Sequence, residues 1–311
     1  MVNITGIGGQ DESESTEYIK RFPKEGIFDA TLGDVFHYKG DTTNAKSNYY
    51  SAIQKGTTEI ADTLSFYQQI AEKLTFFKDT LGLIKCWEAA SALLPESTTV
   101  HYNLLSVYFT NETQYSNEII EVLNRLINIH HNDKEKKAFF MANKGLMLMS
   151  YGEPDRSLKE INNALDLHSF PEYYALRGFV LFLSELRKAQ ETDNLDPLLN
   201  ASEQVLEDVD KAIASNHRKK DAYLLKATLL IALERNKEAC EAANEAIKLG
   251  ATINKDHLNF ICKGKEPKGK NNKWEFFYNL SSLEKRFPSA KTEMKSNIKL
   301  QSYRHSISAY E

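Results

Sequence analysis

A helical spacing of small and large apolar residues recurs six times along the chain. In the first copy this spacing occurs on both sides of a turn at Gly40, in the residues Leu32, Phe36, Ala45, Tyr49 and Ala52. Residues three or four apart share one face of a helix, so each copy predicts two helices joined by a tight turn. Similar patterns return near residues 71–95, 104–126, 145–167, 178–212 and 227–246. Because one helix pair cannot bury its apolar face alone, we expect the copies to stack.

The copies resemble the tetratricopeptide repeat (TPR), which carries Leu-Gly-x2-Tyr on its first helix and Ala-x3-Phe-x2-Ala on its second. The best matches lie at residues 32–52, 100–109 and 237–249. The second helix of each copy has a late position, at 52, 90, 126, 164, 212 and 246. It is alanine in every copy except the third, where residue 126 is a leucine. The resemblance covers about residues 26–251. It implies an all-α protein: a right-handed α-solenoid of about six TPR-like helix pairs with C-terminal capping helices.

Changes in composition divide the chain into four segments. We expect residues 1–25 to form a flexible N-terminal segment and lead-in, 26–251 the repeats, 252–273 a basic linker and 274–311 a C-terminal helical cap or arm. The aromatic residues at 274–278 are expected to dock on the last repeat. Within the fifth copy, the polar residues 188–199 predict either a protruding loop or an extended helix pair.

Charge and cysteine content narrow the choice of partner and compartment. The formal net charge is −4, which argues against a generic nucleic-acid binder. The charge is uneven, since residues 252–311 carry 12 cationic and 6 acidic side chains. The three cysteines are far apart in sequence, which is typical of a reducing compartment and predicts a cytoplasmic location. We expect neither a signal peptide nor a transmembrane segment, because no sufficiently long apolar stretch occurs.

The TPR resemblance also implies a binding groove. In that family, positions 2, 5, 9, 12 and 13 of each repeat face a concave surface, and here those positions are mostly apolar, as an interaction site would be. The candidate groove residues are Tyr102, Ser106, Phe109, Phe139, Ala142, Leu146, Met149, Phe179, Phe182, Leu224 and Thr228. Ala175, Ile231 and Ala232 fall on the same set of positions. Either a partner or the chain's own C-terminal helices would fill such a groove.

Other residue patterns argue against particular functions. The cationic residues of a carboxylate clamp are missing, with Ala30 and Asp34 at the matching places of the first copy, so binding of chaperone C-termini is not expected. His130 and His131 predict a solvated turn rather than a metal site, and Cys86 falls on a core face. No nucleophile, base and orienting group come together, so we expect no enzyme activity, metal or cofactor.

The sequence therefore predicts a protein–protein interaction scaffold or adaptor that binds a partner peptide or helix in an apolar concave groove. A peptide-sensing regulatory TPR protein, which changes conformation when its ligand binds, is the alternative.

Overall fold

The computed structural model describes residues 12–57, 63–215, 219–253 and 255–263. These residues form α-helices, a short 3-10 helix at Phe109–Asn111 and no strand. In chain order the helices are α1 (Glu12–Arg21), α2 (Gly26–Tyr38), α3 (Thr42–Lys55), α4 (Thr63–Phe76), α5 (Thr80–Leu93), α6 (Thr98–Tyr108), α7 (Ser116–Ile129), α8 (Lys134–Ser150), α9 (Pro154–Leu167), α10 (Pro171–Thr192), α11 (Asp196–Ala214), α12 (Lys219–Ala232), α13 (Asn236–Lys248) and α14 (Lys255–Lys263). Among the described residues, one compact unit ends at Val122 and the other begins at Leu123.

The six predicted copies are six consecutive helix pairs, α2/α3 through α12/α13. The predicted all-α, TPR-like fold is therefore confirmed. Turn chemistry explains where α3 begins. Asp41 accepts a hydrogen bond from the backbone N–H of Asn44 at 3.0 Å and so caps α3. The preceding Gly40 has a φ of +77°, a backbone conformation that glycine adopts without steric cost.

Small residues allow the two helices of a pair to approach closely, as the sequence predicts. A Cβ atom added to Gly33 would lie 2.7 Å from the ring of Tyr49, and one added to Gly145 would lie 2.7 Å from Ile161 Cγ1. On the second helices, the late small residue is fully buried in the five copies that carry alanine there, at Ala52, Ala90, Ala164, Ala212 and Ala246. Leu126, the one departure from the family pattern, is fully buried as well and fits the same register.

The polar insertion in the fifth copy forms an extended helix pair. Helix α10 has 22 residues and α11 has 19, and they are joined by a short turn in which Asp193 adopts a left-handed conformation. The structure therefore decides between the two alternatives that the sequence left open.

The last helix pair is covered by α14, which lies within the segment predicted as a basic linker. Ile261 of α14 is fully buried in the same apolar cluster as Ala243 and Ala246 of α13. A disulfide between Cys240 and Cys262 joins α13 to α14. Residues 274–311, where the sequence predicts a cap or arm, lie outside the described residues.

Candidate partner-binding surface

Seven of the eleven predicted groove residues are buried in the packed interior. They are Tyr102, Phe109, Ala142, Leu146, Phe182, Leu224 and Thr228, each at most 8% exposed. Phe182 and Thr228 have no exposed surface at all, and the hydroxyl of Thr228 donates a hydrogen bond to the carbonyl of Leu224 within its own helix. These seven side chains stabilise the helix packing, and the structure does not present them on an open groove.

The other four predicted residues, Ser106, Phe139, Met149 and Phe179, are partly exposed. In the second unit, two of them belong to a set of partly exposed apolar side chains that pack on one core cluster. The set also includes Ala175 of α10 and Ile231 and Ala232 of α12, which fall on the family's groove positions. We call it the inner stripe, and it consists of Met149, Ala175, Phe179, Ile231 and Ala232.

The inner stripe runs over the first helices of three consecutive pairs, α8, α10 and α12. Ala175 and Phe179 lie one turn apart on α10, so they share a face. Met149 lies near the end of α8, and Ile231 and Ala232 lie at the end of α12.

An ion pair on the other side of α10 fixes how this helix is turned. Arg177 donates from Nε to Asp208 Oδ2 at 2.8 Å and from Nη2 to Oδ1 at 2.7 Å, and its Nη1 donates to Asn162 Oδ1 at 3.1 Å. The hydrogen bond to Asp208 raises the pKa of Arg177. Arg177 is two residues from both Ala175 and Phe179, a rotation of about 200° around the helix. The pair with Asp208 therefore fixes the rotation of α10 against α11, and with it the direction of the stripe residues.

The groups with the largest pKa changes are buried hydroxyls and one buried thiol. Burial raises the pKa of the Cys86 thiol, whose Sγ donates to the carbonyl of Tyr67 at 3.3 Å. Burial likewise raises the pKa of Tyr102 and of Tyr173. These groups stay protonated at neutral pH, and Cys86 occupies the core position that the sequence predicts.

The predicted turn at His130 and His131 is also observed. Asp133 accepts from the backbone N–H of Lys136 at 3.0 Å and caps α8, and this hydrogen bond lowers the pKa of Asp133. The ring of His130 stacks on Phe140 with a centroid distance of 5.4 Å. Within the described ranges, no three His, Cys, Asp or Glu residues form a group that could hold a metal ion. Over the same ranges, no helix has the length and apolarity that a membrane span requires.

Two features were missed in the sequence. The first is a pair of exposed aromatic side chains, Tyr38 and Phe76, which are 95% and 69% exposed at the ends of α2 and α4. The adjacent phenylalanines at positions 76 and 77 were the sequence pattern that could have indicated it. The ring of His37 contacts both of those phenylalanines, tilted against Phe76 at 5.0 Å and edge-on to Phe77 at 4.9 Å between ring centroids. The second feature is the Cys240–Cys262 disulfide, which joins residues 22 positions apart.

No family model matches the sequence, and no curated protein matches it. Among solved structures, Naa15/Naa10 bound to HypK-THB is similar with a TM-score of 0.53 at 12% identity. That match covers 76% of this chain, which spans only 33% of the length of the other. The MamA protein gives a TM-score of 0.44 at 17% identity and covers 62% of this chain and 99% of its own. YrrB, a TPR protein with an unusual peptide-binding site, gives a TM-score of 0.35 at 16% identity and covers 73% of this chain and 100% of its own.

At 12% identity the likeness to Naa15/Naa10 concerns the fold alone. It agrees with the helix pairs, the capped turns and the buried small residues already described. The chain therefore has the fold of the tetratricopeptide-repeat proteins.

Proposed function

We propose that the chain is a protein-interaction scaffold that binds an apolar segment of another protein on the inner stripe. The observation that carries this proposal is the partial exposure of Met149, Ala175 and Phe179 on the first helices of consecutive repeats. A continuous set of partly exposed apolar side chains is a common feature of interaction sites. In the similar solved structure of Naa15/Naa10, the complex is bound to HypK-THB.

The spacing of the helices sets the size of the partner segment. Packed helices lie about 8–10 Å apart, so a surface across α8, α10 and α12 is roughly 20 Å long. An amphipathic helix of about 14 residues covers this length at 1.5 Å per residue. We therefore propose an amphipathic helix whose apolar face lies along the stripe, with anchors at helical spacing.

The stripe residues have different parts in this proposal. Phe179 supplies the large aromatic contact, and aromatic residues contribute strongly at interface hot spots. Met149 is flexible and polarisable, so it adapts to the shape of the partner. Ala175, one turn before Phe179, leaves a depression that accepts one partner side chain.

The experiment is selection of displayed 16-residue random peptides on the full-length chain, with removal of those that also bind a Phe179→Ala/Ala175→Arg variant. We expect the surviving peptides to carry large apolar residues at i, i+3 or i+4, and i+7. If every peptide selected on the full-length chain also bound the variant, so that none survived the removal step, the proposed site would be contradicted.

A second measurement with the same peptides distinguishes the scaffold from the alternative, a peptide sensor. Small-angle scattering of the chain with and without a saturating selected peptide reports a change of overall conformation. A scaffold gives unchanged dimensions, whereas a sensor changes its dimensions when the peptide binds.

A further inference from the structure

The described C-terminal helix, α14, is held to the last helix pair by one covalent bond and a small apolar contact. Cys240 lies on α13, Cys262 lies on α14, and their sulfur atoms are bonded. Among the described side chains of α14, only Ile261 is fully buried, and Leu258 is partly buried. The helix has nine residues. Isolated helices shorter than about 12–15 residues are marginal in water, so α14 depends on its attachment.

Both cysteines are within reach of a reductant. Cys240 and Cys262 are partly exposed, in contrast to Cys86, which is completely buried. The amide of Asn244 approaches the Sγ of Cys240 at 3.5 Å, one turn along α13. Thiol–disulfide exchange requires access of a thiolate to a sulfur atom, and this exposure provides it.

We propose that the Cys240–Cys262 disulfide is a redox-sensitive latch that keeps α14 on the end of the repeat stack. In the oxidised chain, α14 covers the apolar end of the last pair, where Ala242, Ala243 and Ala246 share one cluster with Ile261. In the reduced chain, the apolar contact of Ile261 and Leu258 remains as the described attachment of α14, and the end of the last pair becomes accessible. The latch is independent of the inner stripe and of any partner bound there.

The chemistry of opening is an exchange with a small dithiol. One thiolate of the dithiol attacks a sulfur of the disulfide, forming a mixed disulfide and releasing the other cysteine as a thiolate. The second thiol of the reductant then displaces the remaining cysteine. The reductant becomes a cyclic disulfide, and Cys240 and Cys262 together take up two electrons and two protons.

The size of the effect follows from the closed loop. The bond joins positions 22 apart in sequence. Closing a loop of this length shifts a folding equilibrium by on the order of a hundredfold. We therefore expect the docked fraction of α14 to fall by about that factor when the bond is reduced.

The test uses the full-length chain after treatment with glutathione disulfide or with dithiothreitol. The first readout is alkylation of the unfolded chain, counted by mass. The oxidised chain should carry one alkylated cysteine, Cys86, and the reduced chain three. Three alkylated cysteines after the oxidising treatment would overturn the proposal.

The second readout is amide hydrogen exchange in residues 255–263, compared with exchange in α10. We expect the α14 amides to exchange on the order of a hundredfold faster after reduction, with α10 unchanged. Equal exchange of α14 in both states would overturn the latch. A Cys240→Ser/Cys262→Ser variant is the control, since dithiothreitol should leave its α14 exchange unchanged at the fast value.

Discussion

Arg177 and Asp208 tie α10 to α11 through two parallel hydrogen bonds, at 2.8 and 2.7 Å, and the carboxylate has no exposed surface. Gln204 adds a third hydrogen bond to the same carboxylate, from Nε2 at 3.2 Å. A two-point contact between planar groups fixes orientation as well as distance. This pair therefore sets the rotation of α10 and the direction in which Phe179 and Ala175 point.

The first prediction concerns this ion pair. Asp208→Ala removes the buried carboxylate, so the guanidinium of Arg177 loses the two hydrogen bonds that it donates to Asp208. Breaking a buried pair in this way costs about 3 kcal/mol of unfolding free energy. Urea denaturation followed by circular dichroism measures the loss.

Glu207→Ala is the matched control on the same helix. Glu207 pairs with Lys211 across the surface of α11, where the two side chains are 58% and 42% exposed. Surface pairs contribute little, so this variant should denature close to the wild-type midpoint. If both variants lost the same stability, the proposed role of Asp208 in fixing α10 would be wrong.

The second prediction tests the repeat register. Ala246 is fully buried on α13, at the position where the two helices of the sixth pair meet. Ala246→Leu should overpack this contact and lower the unfolding free energy by roughly 1–3 kcal/mol. Glu241→Leu, an exposed position of the same helix, should change stability far less. A wild-type melting temperature for Ala246→Leu would argue against the register.

The helix pairs were predictable because their determinants are local. A glycine such as Gly145 and an alanine such as Ala164 lie at fixed distances along the sequence, and their spacing alone predicts a close crossing of two helices. Turn residues such as Asp41 mark the helix starts in the same local way.

The exposed surface was less predictable because it depends on small rotations of each helix. Neighbouring positions on a helix differ by about 100°, so a modest turn moves a side chain from the groove into the contact between helices. Phe179 is partly exposed, whereas Phe182, almost one turn later, is completely buried. The family positions alone do not distinguish these two phenylalanines.

The disulfide and α14 were missed for different reasons. Two cysteines 22 positions apart on separate helices meet only after the chain has folded, so their spacing carries no signal. For α14 a signal existed, since Leu258, Ile261 and Cys262 follow helical spacing. The lysines and glycines of residues 262–273 favoured a linker instead.

The third prediction concerns alkaline pH. Burial, together with the charge of Asp79 and a hydrogen bond to it, raises the pKa of Tyr50 to about 12. Burial also raises the pKa of Tyr49, Tyr67, Tyr102, Tyr108 and Tyr173. Tyrosines of the unfolded chain ionise near pH 10, so the folded state loses stability as the pH rises from about 10 through 12.

Absorbance at 295 nm and circular dichroism, recorded on the same samples, measure this effect. Exposed tyrosines should ionise near pH 10 while the helices remain intact. The buried tyrosines should ionise only as the helical circular dichroism signal is lost. Ionisation of every tyrosine near pH 10 in a fully helical protein would contradict the burial described here.

The central claim, that the inner stripe binds a partner helix, is tested most directly by the affinity of a selected peptide for two variants. Phe179→Ala removes the aromatic contact of the stripe, whereas Leu199→Ala removes a 37% exposed apolar side chain of α11, outside the stripe. By titration calorimetry, Phe179→Ala should weaken binding by on the order of 2 kcal/mol, about thirtyfold in Kd. Leu199→Ala should bind as the wild type does. Equal affinity of the wild type and Phe179→Ala, with both fully folded, would contradict the assignment of the stripe as the binding surface.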